Sequence, residues 1–331
     1  MGAKSVLVGI ASVLLLGLGA GSAEAAAKAA PSCSRACLED IAGKYFAAVV
    51  AHDARQLPLA KGAVYVENNI KLKMNDGLWA TAESIDPYKV WVTDEKSHQV
   101  LVFTGVKEQN VMAFLAVRLK TQGRQVTEVE TSVVRKYAGA QGNYDVANLG
   151  TPAPVWAASM PAEKKSSRAV MTKVANLYFD GIEQSNGTIV PFINGECLRF
   201  ENHVQTAGRR PANPAPGTGG EVAPNRPYET CAAQFSSGRF HYITEVTDRR
   251  CDINDETRGI AICIVHFQHP GTVHFWTDKA TGQQNPIGGN FAKYPNTTYI
   301  WEAFKVENGK YNDILAYVNV VPYRMTSPFK R

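Results

Sequence analysis

The chain repeats itself at long range, and that repeat limits its fold more than any other feature. Two amphipathic segments set the frame. In "CLEDIAGKYFAAVVAHD", Leu38, Ile41, Ala42, Tyr45, Phe46, Val49 and Val50 recur three or four residues apart, the pattern of one buried helix face. In "MTKVANLYFDGIEQSNG", Met171, Val174, Ala175, Tyr178 and Ile182 lie on a similar stripe. Tyr45-Phe46 returns as Tyr178-Phe179, Pro58 as Pro191 and Gly62 as Gly195, each 133 residues on. Glu67-Asn68 returns as Glu201-Asn202 after a one-residue slip.

The segments after each helix also match. "DGLW" at 76–79 precedes the strand-like "YKVWVTD" and "QVLVFTGV", and "SGRF" at 237–240 precedes "HYITEVT" and "RGIAICIVHF". Each copy closes on two long β-branched and aromatic runs around a Gly turn, "FLAVRLKTQGRQVTEVETSVV" and "YIWEAFKVENGKYNDILAYVNVV". A helix followed by a meander of strands is α+β, not alternating βαβ. A period above about 100 residues means duplicated domains, not a solenoid. The expected domains are 26–140 and 168–331, joined by a Pro/Ala/Ser-rich linker at 141–167, with a Pro/Gly-rich insert at 206–230. No dinucleotide-binding or P-loop glycine pattern occurs, and no organic cofactor is expected.

The N-terminus reads "MGAKSVLVGIASVLLLGLGAGSAEA": a Lys, an apolar core and a small-residue cleavage site. This predicts a signal peptide over 1–25, hence a secreted or periplasmic protein with no stable membrane insertion after cleavage. The net charge of +5 over 331 residues is mild and forms no basic run, so nucleic acid is not an expected partner. Six cysteines permit disulfides in an exported protein. Cys197 and Cys231 bracket the insert, and a bridge there would tether it. Cys33 and Cys37, four apart, are candidates to pair with each other. Cys263, within "GIAICIVHF", reads as an inert packed thiol.

A helix, "VYVEN", a Gly-Leu-Trp segment and long strands together resemble the SnoaL-like, nuclear-transport-factor-like cone fold, shared by ketosteroid isomerase and scytalone dehydratase. The paired copies also resemble an uncharacterised secreted family found largely in fungi. "CSRACLEDIAGKYFAAVVAHD", "LPLAKGAVYVENN", "DGLW", "YFDGIEQSNG", "RFENHVQT" and "VTDRRCDINDETRGIA" carry the likeness, over most of 33–325. It implies two tandem cone-shaped α+β domains, each an N-terminal helix region packed on a curved antiparallel sheet around an apolar pocket. It also implies that the cones can pack sheet to sheet as an intramolecular pseudo-dimer.

Strand parity nominates the chemistry. Val64, Val66 and Asn68 share one face and Tyr65 and Glu67 the other; Leu198, Phe200 and Asn202 oppose Arg199 and Glu201. If the apolar face is the pocket face, both Asn point inward and both Glu outward. The isomerase-like branch carries an Asp base at the inward position. Asn can polarise a carbonyl but cannot take its proton. Ile260, Ile262, Ile264 and His266 share a parity, which puts an imidazole at the rim of an apolar face, with Val106 at or near the equivalent position in the first copy. His266, His269 and His274 lack a carboxylate partner motif, so no metal is expected. Asn186-Gly-Thr188 and Asn296-Thr-Thr298 are glycosylation sequons, which matter only in a eukaryotic host.

The expected catalytic set is therefore His266 as acid/base, Asn202 as polariser and His203 at the mouth. Asn68, Trp79, Tyr88, Tyr242 and Trp301 are the expected pocket residues. The function these imply is a small-molecule-binding protein that isomerises, dehydrates or hydrolyses a largely apolar substrate. The alternative is a non-catalytic module that binds a ligand or a partner.

Overall fold

Two long-range strand pairings organise the chain. In the computed structural model, residues 1–2, 33–136, 146, 149–208, 230–287 and 293–329 are described. Nearly all of the expected signal segment and of the insert, and part of the linker, lie outside these. Met1–Ala30 is one unit and Pro31–Arg331 the other, and everything below concerns the second.

The first half runs α1 (Arg35–Val50), β1 (Leu59–Glu67), β2 (Ile70–Leu72), α2 (Leu78–Thr81), β3 (Ala82–Ile85), β4 (Val90–Asp94), β5 (Gln99–Glu108), β6 (Val111–Gln122) and β7 (Gln125–Val134). A short helix α3 (Pro154–Ala157) comes next. The second half runs α4 (Arg168–Glu183), β8 (Leu198–Glu201), β9 (Val204–Ala207), α5 (Cys231–Ser236), β10 (Glu245–Asp255), β11 (Ile260–His269), β12 (Phe275–Thr277), β13 (Gln284–Pro286), β14 (Asn296–Glu307) and β15 (Lys310–Pro322). Ser34 and Ser167 cap α1 and α4 by accepting from the backbone N–H three residues on.

The first sheet has the order β2-β1-β7-β6-β5-β3, with β4 also on β5; the second has the order β9-β8-β15-β14-β11-β10. Both are antiparallel apart from one parallel pair each, β1 with β7 and β8 with β15. The registers correspond. Glu67 lies opposite Thr131, which lies opposite Val117; Glu201 lies opposite Ala316, which lies opposite Glu302. A bulge interrupts β6–β7 after Lys120 and β14–β15 after Lys305. Such bulges bend a sheet.

Each sheet is covered on both faces. On one face α1 packs Leu38, Ile41, Tyr45 and Val49 onto Val102, Leu115, Val117 and Val129. Likewise α4 packs Met171, Ala175, Tyr178 and Ile182 onto Val265, Ile300, Phe304 and Ile314. The opposite faces meet in a seam, where Val92, Leu101, Phe103 and Phe114 sit in one apolar cluster with Ile260, Ile262, Trp301 and Tyr317. The layers are thus helix, sheet, sheet, helix. All ten residues of β11 are buried, as a strand covered on both faces requires.

The seam exchanges charges reciprocally. Arg35, the first residue of α1, pairs with Asp255 at 2.6 Å, and Arg168, the first residue of α4, pairs with Asp94 at 2.6 Å. Asp255 accepts from the Thr93 backbone N–H (3.1 Å) and Asp94 from that of Asn254 (2.9 Å). Deeper in, Glu130 is fully buried between Arg118 (2.6 Å) and Arg250, with the Tyr299 hydroxyl at 3.1 Å. Burial alone would raise this carboxyl; Arg250 and Arg118 outweigh it and hold it near 2. The charged stretch Arg250–Asp255 is therefore part of the joint between the halves. The connector after residue 149 is docked as well: Met160 N–H bonds Thr257 O at 2.8 Å and Lys305 Nζ bonds Ala158 O at 2.8 Å.

Three disulfides are formed: Cys33–Cys37, Cys197–Cys231 and Cys251–Cys263. The last corrects the reading of Cys263 as an inert thiol. β10 lies beside β11 and brings Cys251 to it, a neighbour that the buried-strand pattern around Cys263 could not reveal.

Candidate functional site

The helix-side face of β8 and β14 carries the candidate site. β8 is short and pairs with β15 on one side, which aims Arg199 and Glu201 toward α4. Arg199 is 3% exposed. Its guanidinium donates to the Tyr178 hydroxyl (3.1 Å), Gln234 Oε1 (2.7 Å) and Thr206 Oγ1 (2.8 Å), and lies 3.0 Å from Glu201 Oε1. The Glu201 side chain is 38% exposed, so this chain of contacts begins at solvent.

It leads toward Glu302, 2% exposed. Glu201, Ala316 and Glu302 form one cross-strand row, and two strand spacings separate the end residues by about 10 Å between Cα atoms. The small Ala316 between them adds no bulk. Burial first, and then the charge of Glu201, push the Glu302 carboxyl up to about 8, against the opposing pull of Arg199 and the Tyr178 hydroxyl. Tyr311 packs against Tyr178 with ring centroids 6.3 Å apart, and its buried hydroxyl has no hydrogen-bond partner among the described residues. Tyr242, pushed up to about 12 by burial, stacks on His269. A neutral carboxylic acid, a more exposed carboxyl group and tyrosine hydroxyls beside one another offer both donors and an acceptor to a carbonyl compound.

The corresponding interior of the first half is neutralised. Glu67 accepts from the Tyr65 hydroxyl (2.6 Å) and the Leu78 backbone N–H (2.7 Å) and pairs with Arg135 at 2.9 Å. Arg135 also holds Glu108 at 2.7 Å. Trp79, expected in a pocket, is instead packed edge-on against Tyr45 and Tyr65 with no exposure. A cleft of about 420 Å³ opens nearby, lined by Thr81, Glu108, Met112 and Arg135 among others.

The expected catalytic residues fall elsewhere. His266 faces the seam, fully buried, stacked on Tyr299 with ring centroids 5.1 Å apart. Its Nε2 lies 2.6 Å from Asn69 Nδ2 of the other half, and its Nδ1 lies 3.6 Å from Asp248. Its cross-strand partner Tyr299 and the first-half residue Phe114 hold equivalent places, so its counterpart is Gly105, the neighbour of Val106. His203 also enters the seam, 4.8 Å from the Tyr88 ring and 5.6 Å from Phe114. Trp301 lies in the same apolar cluster as Tyr88. Of the expected pocket residues, Tyr242 alone lies near the Arg199–Glu201 pair.

Asn68 and Asn202 are clasps. Each takes positive φ (47°) and bonds the backbone of a neighbouring strand at both ends of its amide. Asn68 bonds Val133 N and O (2.8 and 3.1 Å), and Asn202 bonds Val318 N and O (2.8 and 2.9 Å). The parity argument put the residues on the correct alternating faces but assigned the faces the wrong way round. Glu67 and Glu201 look toward the helices, and the Asn face looks toward the seam. Both faces are apolar because both are covered, so apolarity could not choose between them.

Glu302 was missed. The signal was present, a Glu in the middle of "YIWEAFKV", where every neighbour is buried. Among the described residues, no group of three or more His, Cys, Asp or Glu side chains is placed to hold a metal ion.

A family described as Domain of unknown function (DUF8021) matches residues 164–318. No curated protein matches the chain. Among solved structures it is similar to an NTF2-like protein of unknown function from Cytophaga hutchinsonii, at 6% identity over 29% of this chain and 88% of that one, with a TM-score of 0.25. It is also similar to a hypothetical protein with a ketosteroid isomerase-like fold from Catenulispora acidiphila, solved with trimethylamine (15% identity, 28% and 83% covered, TM-score 0.23). A third is a protein of unknown function with a cystatin-like fold from Methylobium petroleophilum (15%, 37% and 95%, TM-score 0.28).

Proposed function

We propose that this is an exported protein that binds a small, largely apolar carbonyl compound inside its second half and transfers a proton on it. The observation that carries the reading is Glu302. A carboxyl raised to about 8 is largely protonated near neutral pH and can donate a hydrogen bond to a substrate oxygen. Glu201, more exposed and beside Arg199, is the group that accepts the proton, and Tyr178 and Tyr311 supply further hydroxyls. Isomerisation, dehydration and hydrolysis all use such a pair. Export is supported by the signal-like N-terminus and three disulfides. No helix among the described residues is long and apolar enough to cross a membrane. The same reading takes 26–140 and 168–331 as a tandem duplication, supported by the matching rows, bulges and clasps, with cone one scaffolding cone two.

The test is deuterium incorporation. Wild type is incubated in D₂O with a panel of small cyclic ketones, and exchange α to the carbonyl is read by mass spectrometry. Exchange above buffer, at least about tenfold lower in Glu302→Gln and retained in His266→Ala, is the expected result. No exchange across the panel removes the catalytic assignment. The second reading, a non-catalytic binder, is favoured by the backbone-bound Asn68 and Asn202 and the sealed His266. Retention of panel members on dialysis without exchange would select it.

A further inference from the structure

The two sequons of this chain are treated differently by the fold. Asn296 opens β14 at 8% exposure, with backbone partners His269 on one side and Pro322 on the other. Its Nδ2 donates to Tyr294 O at 2.9 Å. Thr298, the third residue of that sequon, is buried with its hydroxyl 2.9 Å from His269 Nε2. An oligosaccharide on Asn296 would have to enter a buried strand at the amide nitrogen that now bonds Tyr294 O.

Asn186 stands in the turn that closes α4, after Ser185 at φ 48°, with its N–H on Gly181 O at 2.9 Å. Its side chain is half-buried and Thr188 is exposed. Asn186 Oδ1 accepts both the Thr188 N–H (3.0 Å) and the Thr188 hydroxyl (2.7 Å). Its Nδ2, the atom that a glycan would occupy, makes no hydrogen bond to the described residues. The turn is fixed from behind. Gly187 N–H bonds Ser236 Oγ at 3.0 Å, and a side chain at 187 would run into the Ala232 carbonyl. The α5 helix that supplies both contacts starts at Cys231, bridged to Cys197. The amide is therefore presented outward on a braced turn, in a protein whose disulfides belong to an oxidising compartment.

We propose that Asn186 is an N-glycosylation site of this protein and that Asn296 is not; the proposal rests on the export reading above. Asn186 Nδ2 forms a bond to the anomeric carbon of a polyprenyl-diphosphate-linked oligosaccharide. The carbon–oxygen bond to diphosphate breaks, the amide loses one proton, and nothing is oxidised or reduced. The modified chain folds with the sugar in solvent at residue 186, which residue 296 does not permit.

The test expresses the full chain in a eukaryotic secretory host, with its own N-terminus and, in parallel, behind a host secretion leader. Glycopeptides are mapped by mass spectrometry before and after glycosidase. The expected result is a glycan on Asn186, lost in Asn186→Gln and in Thr188→Ala and kept in Asn296→Gln. Non-reducing peptide maps showing all three disulfides establish that each variant folds. Secreted wild type unmodified at Asn186, or modified at Asn296, overturns the proposal. A glycan that appears only behind the host leader supports the site and overturns export by the native N-terminus.

Discussion

The two helix-side interiors are built on one register and differ in how each treats its carboxylate. In the first, the row Glu67–Thr131–Val117 presents one acid, held by Arg135, the Tyr65 hydroxyl and a backbone N–H. In the second, the row Glu201–Ala316–Glu302 presents two, and the arginine stands at the Tyr65 position instead, as Arg199. One guanidinium beside the more exposed acid leaves the buried one under-compensated. The same scaffold thus yields one interior whose acid is paired and one whose buried carboxyl is pushed up to about 8.

Making the interiors alike should give the largest effect. Val117→Glu places a second acid opposite Thr131, where Arg135 is already shared by Glu67 and Glu108. An unpartnered buried carboxyl should lower unfolding stability by about 4 kcal/mol at neutral pH, read by urea denaturation. A loss under about 1 kcal/mol would mean that the first interior has room and counter-charge that its contacts do not suggest.

Removing the difference from the other side should stabilise. The Glu302 pKa rises from 4.5 to about 8 on folding, so its favourable contribution is complete below about 4.5 and is lost as pH climbs through about 8. At roughly 1.4 kcal/mol per unit, Glu302→Gln should exceed wild type by about 3 kcal/mol at pH 7 and show little gain at pH 4. Parallel stability–pH curves for the two proteins would mean that Glu302 is ionised in the fold.

The smallest effect tests whether the halves agree where they look identical. Asn68→Ala and Asn202→Ala each lose two backbone bonds and place Ala at positive φ. Each should lose about 2 kcal/mol. Losses that differ by more than about 1 kcal/mol would show the clasps to be unequal in energy despite equal geometry.

Much of this was legible in the sequence. Apolar spacing fixed α1 and α4, and Asn308-Gly309, both at positive φ, marked the β14–β15 hairpin. The recurrence of Tyr-Phe, Pro, Gly and Glu-Asn pointed to a helix and following strands in each half, because local periodicity and turn chemistry act over a few residues and survive in one dimension. Three decisions needed the third dimension. Which face of a strand meets a helix and which meets the other sheet depends on partners far away in the chain, so Glu201 was aimed outward and His266 into a pocket. Cys251 reached Cys263 through strand pairing. Glu302 acquired its pKa from burial, from Glu201 about a hundred residues earlier and from the place where Arg199 stops short. Sequence set which residues alternate; packing set what each face touches, and an acid's strength depends on what it touches.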